Sequence, residues 1–434
     1  MRQAKLLSLI FILFASLFTN TIFAADTSLK AAAIAPVDDA WRAALPKDPV
    51  AATEAYMARF SPEARARSDA YFEGGYWLQL WNFLIGMLIA WLLLGTRWSQ
   101  KMRDFSERFT RFRFVHNMTY AAQYLLAGWV ISLPLTIYQG FFREHQYGMA
   151  TQTFGPWFGE QLMELAISIV AGSLLLAGIY AFIRRAPNSW WAWGSAVSIG
   201  FLMIMLLIRP VYIDPLFNTY KPIPDGPIKE SVLSMARAND VPADNVYVFD
   251  ASRQTTRVSA NVSGIFGTAA VRLNDNLLNR TSPPEIKGVM GHELGHYVLN
   301  HIYKMLIAFT LIIVVGFLFV KNTFAWAQER FGANWGIRDV TDAAGMPLFA
   351  ALFSVYLFAM TPVVNTMIRV NEVEADIFGL NTAREGDGFA EVGLKLTEYR
   401  KADPSDVEEF IFYDHPSPKK RILAAMRWKA ENPK

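Results

Sequence analysis

His292-Glu293-Leu294-Gly295-His296 sets two imidazoles four residues apart with a carboxylate beside the first. On a helix, residues four apart share a face, so both rings can reach one Zn²⁺ at about 2.0 to 2.1 Å while Glu293 addresses a water on that ion. The chemistry implied is hydrolysis of a peptide bond by an activated water. Two ordinary helix histidines beside a surface glutamate are the alternative, and the chain has only six His among 434 residues.

The elements that must position these groups can be read on either side of the motif. Ser282-Pro283-Pro284-Glu285 has the form of a capping box with proline at the first helical position, and Ile286, Val289, Met290, Tyr297 and Val298 continue at helical spacing. The two histidines are therefore expected on one helix. A catalytic zinc keeps three protein ligands and leaves a position for water, so a third ligand must come from elsewhere. Downstream, Asn365, Arg369, Glu372 and Asp376 fall at i, i+4, i+7 and i+11, one helix face that follows a long uncharged run. Glu374 points to another face and reads as solvated.

These residues together resemble the CAAX prenyl protease 1 family of polytopic membrane zinc metalloproteases. The resemblance rests on HELGH, on the N-x3-R-x2-E-x3-D helix and on His415-Pro416-x4-Arg421. It continues in Asp214-Pro-Leu-Phe-Asn218 with Pro222-Ile-Pro-Asp-Gly226, and in Tyr147-Gly-Met-Ala-Thr-Gln152-Thr-Phe-Gly155. It implies one zinc per chain on His292, His296 and Glu372, with Glu293 as general base. It also implies that Asp376 belongs to the active site, either orienting a ligand histidine or donating a proton. His415 would hydrogen-bond the developing oxyanion and Arg421 would anchor that region; Asn365 and Arg369 would support, the arginine by pairing with Glu372 or Asp376. An extended substrate would add to a sheet edge at Ser259, Ala260 and Asn261, where the chain departs from the family's Asn-Ala-aromatic pattern.

Composition agrees with a membrane protein: 53% hydrophobic, 14% aromatic and 18% charged residues. The uncharged runs Gly74 to Thr96, Phe114 to Phe142, Leu165 to Ile183, Pro187 to Ile208, Met305 to Val320 and Ala343 to Ile368 each approach or exceed the roughly 20 residues that cross a bilayer. A net charge of +3 gives no case for nucleic acid, and the absence of cysteine excludes disulfides, a thiolate metal site and a Cys nucleophile. The expected fold is mainly α: a polytopic transmembrane helical cage with a zincin-like HExxH metalloprotease domain carrying a small β-sheet. Val246 to Asp250 and Val271 to Asn274 read as strands joined by the turn-rich Asn261 to Gly267, and Pro227 to Ala238 reads as a helix.

The expected divisions are residues 1–24 as a signal peptide or first anchor, 25–72 as an extramembrane arm without chemical signal, 73–213 as four spans, and 214–434 as the metalloprotease domain with two further spans at about 303–320 and 343–368. Arg2 and Lys5 before the apolar stretch Leu6 to Phe18 suit either a cleaved signal or an uncleaved anchor. Arg97, Lys101, Arg103, Arg108, Arg111 and Arg113, with Arg184-Arg185, mark cytoplasmic loops, against Arg143 alone between the second and third runs. That count places the catalytic parts on the non-cytoplasmic side of a plasma or inner membrane. The partners expected are the bilayer and a peptide or protein substrate, prenylated if the resemblance extends so far. A general quality-control protease of membrane or exported proteins is the alternative within the enzyme class, and a polytopic transporter or scaffold the alternative outside it.

Overall fold

The computed structural model describes Ile34 and residues 37–263 and 269–433; the segment 1–24 expected as signal or anchor lies outside the described residues. Six helices are long and apolar enough to cross a membrane: Pro62–Gly95, Arg113–Gln146, Phe154–Arg185, Trp190–Leu216, His301–Trp335 and Ala343–Ala383. They hold the six uncharged runs but for Thr96 and for residues 187–189. Their packed interior is built from Leu93, Tyr120, Tyr180, Ile183, Phe317 and Val320, all nearly or fully buried.

Two of these helices outrun their apolar stretches. The fifth continues past Lys321 to Trp335, with the Lys321 ammonium 5.9 Å from the Trp191 ring. The sixth, helical from Met346 to Ala383, has 38 residues and is therefore about 57 Å long at 1.5 Å per residue. A hydrocarbon core of about 30 Å takes up only part of that length, and Glu372 and Asp376 lie in the last third of the helix, past its long uncharged run.

The small sheet is mixed, in the order β1-β2-β4-β3, with β1 Tyr220–Pro222, β2 Val246–Phe249, β3 Ala260–Ser263 and β4 Ala270–Asn274. β2 and β4 run parallel in the register Val246 to Val271, and β3 pairs antiparallel with β4, Ala260 opposite Leu273. Residues 260–263, part of which reads as a turn-rich connection, thus form an edge strand, and β1 carried too few residues to show a period. The inner face of the sheet joins Ile286, Met290 and Leu294 of the motif helix in one core with Val246, Val271 and Leu273.

The N-terminal arm is more than a surface extension. Ala52, Tyr56 and Phe60 recur every four residues and are buried against Phe389, Leu394 and Ile422. Tyr56 donates to Asp387 at 3.0 Å and Arg59 makes two bonds to Glu391, at 2.6 and 3.1 Å. The arm straps the C-terminal helices Gly386–Lys395 and Pro418–Glu431, and the first span starts within it, at Pro62.

Candidate active site and metal centre

The motif helix runs Pro283–Val298 and begins as its sequence dictates: Glu285 reaches back to the Ser282 amide at 2.6 Å in a capping box. It crosses the Met346–Ala383 helix at very close range. A Cβ on Gly379 would stand 2.7 Å from the His292 nitrogen, one on Gly291 would stand 2.9 Å from the Gly379 carbonyl, and one on Gly295 would meet the Ala375 Cα at 3.2 Å. Gly291 and Gly295, four apart, therefore face Ala375 and Gly379, also four apart. Only small residues permit this approach, and it brings the histidines to Glu372.

The three candidate ligands converge. His292 Nε2 lies 3.0 Å from His296 Nε2 and 3.2 Å from Glu372 Oε2, and His296 Nε2 lies 3.4 Å from Glu372 Oε1. Ligands at about 2.05 Å in a tetrahedron are about 3.3 Å apart, so these separations, taken from the two rings to one or the other oxygen of Glu372, are of the size a tetrahedral metal needs. Glu372 Oε2 is buried and makes no hydrogen bond, with the His292 and His415 Nε2 atoms drawn up at 3.2 and 3.1 Å, as around an oxygen available to a cation. The residues fit the group.

Each histidine is held from behind. His292 Nδ1 is 2.7 Å from Asp376 Oδ1, and Arg421 binds Asp376 twice, at 2.9 Å to Oδ2 and 2.6 Å to Oδ1. Asp376 and Arg421 are both buried, and the Arg421 guanidinium stands 5.3 Å from the Phe389 ring centre. Behind His296 is a second chain that sequence reading missed: His296 Nδ1 to His301 Nδ1 at 2.9 Å, His301 Nε2 to Glu374 at 3.1 Å, and Lys304 to Glu374 at 2.5 Å. Asn300 makes it possible by adopting the left-handed conformation, φ 58°, a state asparagine tolerates, so that the fifth span starts within two residues of the motif helix. Glu374, expected to be merely solvated, closes this chain.

Arg369 corrects another expectation. It pairs with neither Glu372 nor Asp376; its guanidinium donates to the carbonyls of Glu409 and Tyr413 at 2.9 and 2.5 Å and to Thr366 at 3.0 Å. Asn365 donates to the Ile411 carbonyl at 2.7 Å. The end of helix Asp406–Phe412 has unsatisfied carbonyls, and these two side chains clamp it to the long helix. The clamp carries His415 to within 3.1 Å of Glu372 Oε2, while His415 Nδ1 meets Asp414, also missed from sequence, at 2.8 Å.

Electrostatics follow from burial. Burial raises the Glu293 carboxyl to about 7, with the His292 and Glu372 charges pulling in opposite senses. Burial and the neighbouring His292 lower His296 to about 4, which keeps its ring neutral as a metal ligand requires. Burial alone would lower His292, but hydrogen bonds to Asp376 and Glu372 outweigh it and raise the ring to about 9. Burial also lowers His415, against the pull of Asp414. Ser259 has its backbone tied to Asn274 on both sides, whereas β3 beyond it leaves one edge unpaired among the described residues, and Asn261 Oδ1 is buried without a partner.

A two-histidine, one-glutamate cluster beside an unbound glutamate, set at the end of a polytopic helix array, defines a membrane-embedded metalloprotease, a hydrolase of peptide bonds. Residues 222–429 match the family model described as peptidase family M48, and residues 47–219 match that of the CAAX prenyl protease N-terminal domain with five membrane helices, of which the described residues hold four. The two matched segments together run through most of the chain, a peptidase family M48 domain following a CAAX prenyl protease N-terminal domain. It is 29% identical over 349 residues to the uncharacterized metalloprotease YhfN of Bacillus subtilis, covering 79% of this chain and 82% of that protein. CAAX prenyl protease 1 of Saccharomyces cerevisiae is 26% identical over 311 residues, 68% of each chain. The crystal structure of S. mikatae Ste24p shares the fold at a TM-score of 0.66 and 20% identity, covering 90% of this chain and 92% of that one.

Proposed function

We propose that the protein is a zinc endopeptidase in which His292, His296 and Glu372 hold one zinc and Glu293 moves the protons. The spacing of the candidate ligand atoms, 3.0 Å between the two ring Nε2 atoms, 3.2 Å from His292 to Glu372 Oε2 and 3.4 Å from His296 to Glu372 Oε1, carries this reading. Zinc, when bound, supplies a Lewis acid for the scissile carbonyl and lowers the pKa of a water toward about 7. Glu293, beside the ligands and free of them, takes a proton from the attacking water and delivers it to the leaving amine. His415, whose Nδ1–H is held by Asp414, faces the carbonyl oxygen through Nε2 and in its imidazolium form donates to it as negative charge develops. Asp376 has both oxygens engaged, so we assign it to orienting His292, with Arg421 holding it in turn, rather than to proton donation. The substrate lies along the open edge of β3, where Ala260 and Asn261 offer backbone groups and the Asn261 amide oxygen accepts a main-chain N–H. Zinc content of Glu372→Gln tests the assignment: loss of the metal from a folded variant is expected, and full zinc would overturn the ligand set.

The substrate reading that a specific observation favours is a lipidated peptide. An apolar groove of about 480 Å³ lies between the first and last long helices, lined by Tyr76, Trp77, Leu80, Phe358, Pro362 and Phe412. It ends three residues before His415, and Asn365 fastens the intervening segment one turn from Pro362. The named activity of the yeast relative, a CAAX prenyl protease, agrees with such a groove. Burying an isoprenoid there at about 25 cal/mol per Å² would lower KM for a prenylated peptide; equal kcat/KM for prenylated and plain peptides would favour general proteolysis along β3. The charged loops favour a site on the non-cytoplasmic side of a plasma or inner membrane. Lys101→Cys and Val407→Cys, both at exposed positions, test this with an impermeant thiol reagent on intact cells, and labelling of the first alone would reverse the orientation.

A further inference from the structure

At the end of the helix array opposite the His–Glu cluster, the interhelical loop 338–343 and the ends of neighbouring helices enclose a cleft of about 470 Å³. Glu372 is 26 residues up the long helix from Met346, so the two sites are separated by on the order of 40 Å. Five arginines line the cleft: Arg103, Arg111, Arg113, Arg184 and Arg338. Two of them are neutralised within the protein, Arg103 by Asp342 at 2.5 Å and Arg338 by Glu107 at 2.7 Å. The remaining carboxylate of the lining, Asp339, accepts from Thr341 at 2.6 and 2.7 Å. Arg111, Arg113 and Arg184 have no carboxylate partner among the described residues.

Two further observations turn this excess of positive charge into a ligand site. Asn117 is 4% exposed and faces the cleft, and its Nδ2 has no hydrogen-bond partner. A buried donor left unpaired is costly, and here it is directed into a basic hollow where an anion's oxygen would satisfy it. Helix Trp98–Phe109 forms one wall, with polar side chains prominent on its buried face and aromatic rings on its exposed one. It buries Ser99, Arg103 and Ser106 with Met102 against the protein and exposes Trp98, Phe105 and Phe109 beside Lys101, Glu107 and Arg108, followed by exposed Phe112 and Phe114. Aromatic rings in that position sit at the boundary between headgroups and acyl chains, which puts the mouth of the cleft at the depth of lipid phosphates.

We propose that this cleft binds the phosphate of an anionic lipid headgroup from the adjoining leaflet, with Arg113 and Arg184 facing its charge and Asn117 donating to one of its oxygens. The sequence reading used these arginines only as a topology signal; their enclosure with an unpaired buried amide is what a merely solvated basic loop would lack. A soluble phosphate shares the chemistry, and the exposed aromatic wall favours the lipid.

The full chain in detergent would be titrated with phosphatidylglycerol or phosphatidylcholine and bound lipid counted by native mass spectrometry. Wild type is expected to retain one phosphatidylglycerol in preference to phosphatidylcholine. Arg113→Gln/Arg184→Gln should weaken that retention at least tenfold, while Arg185→Gln, outside the cleft, should change it less than twofold. Asn117→Ala should weaken it severalfold; if that variant fails to fold, Arg113→Gln alone, at an exposed position, should do so. Peptidase activity and the apo thermal midpoint of the arginine variants should match wild type. Equal retention of both lipids, or an equal loss in Arg185→Gln, would reduce the cleft to diffuse charge and overturn the proposal. Displacement of the lipid by millimolar inorganic phosphate would overturn the lipid as its occupant.

Discussion

Asp376→Asn tests the support behind His292 most directly, because it removes a charge while keeping size and shape. Asp376 accepts from His292 and, twice, from Arg421, and all three side chains are nearly buried. Two separable losses follow. Carboxylates behind ligand histidines are worth about 10- to 100-fold in metal affinity, which is about 1.4 to 2.8 kcal/mol. Independently, the substitution strands Arg421. Breaking a buried pair from one side costs about 3 to 5 kcal/mol; the guanidinium keeps the Phe389 ring at 5.3 Å in both proteins, so that contact leaves the difference unchanged. A destabilisation of about 3 to 5 kcal/mol is expected for the metal-free protein.

The double variant Asp376→Asn/Arg421→Gln separates the two losses. It leaves no unpaired charge, so its metal-free thermal midpoint should lie above that of Asp376→Asn, whereas its zinc affinity should be no better. Affinity would be read by competition with a chromogenic chelator and stability by thermal unfolding in detergent after metal removal. Unchanged zinc affinity in Asp376→Asn would refute the argument that this carboxylate orients His292. A double variant less stable than either single would refute the stranded-charge explanation.

Glu293→Ala should keep its zinc and lose about 10²- to 10⁴-fold in kcat; near wild-type turnover would show that another base acts. Gly379→Ala places a methyl 2.7 Å from the His292 nitrogen, so the helices must separate, and both zinc occupancy and thermal midpoint should fall; wild-type values would mean the crossing does not set the ligand geometry. His301→Leu removes the contact behind His296 and should weaken zinc by about tenfold, with His301→Gln recovering part of the loss. Equal affinity in both variants and wild type would make the His301–Glu374 chain a packing feature only.

How much of this was legible depends on whether the information was local. The HELGH spacing, the Ser282 cap and the face bearing Glu372 and Asp376 are periodic within one helix, and each was readable in sequence order. His301 and Glu374 were not, because they are 73 residues apart and belong to two different spans, and Glu374 lies off the face that carries the ligand. Arg369 misled for a related reason. Its spacing from Glu372 and Asp376 suggested an ion pair, yet the open carbonyls of a distant helix end compete for the same guanidinium, and no local pattern announces that competition.

The pairing of the two site helices was nevertheless written in the chain in a form easily overlooked. Gly291 and Gly295 enclose His292-Glu293-Leu294, and Ala375 and Gly379 follow Glu372 at the same four-residue interval. In isolation each pair reads as ordinary small residues in a helix, where glycine costs about 1 kcal/mol relative to alanine. That cost has a geometric return: with a Cβ at Gly291 or Gly379 the backbones could not approach, and His292 Nε2 and Glu372 Oε2 would not stand 3.2 Å apart. The glycines of the motif are therefore as much a part of the proposed metal centre as the side chains assigned to hold the ion. They set the distance between helices to which histidine and glutamate side chains of fixed length must conform.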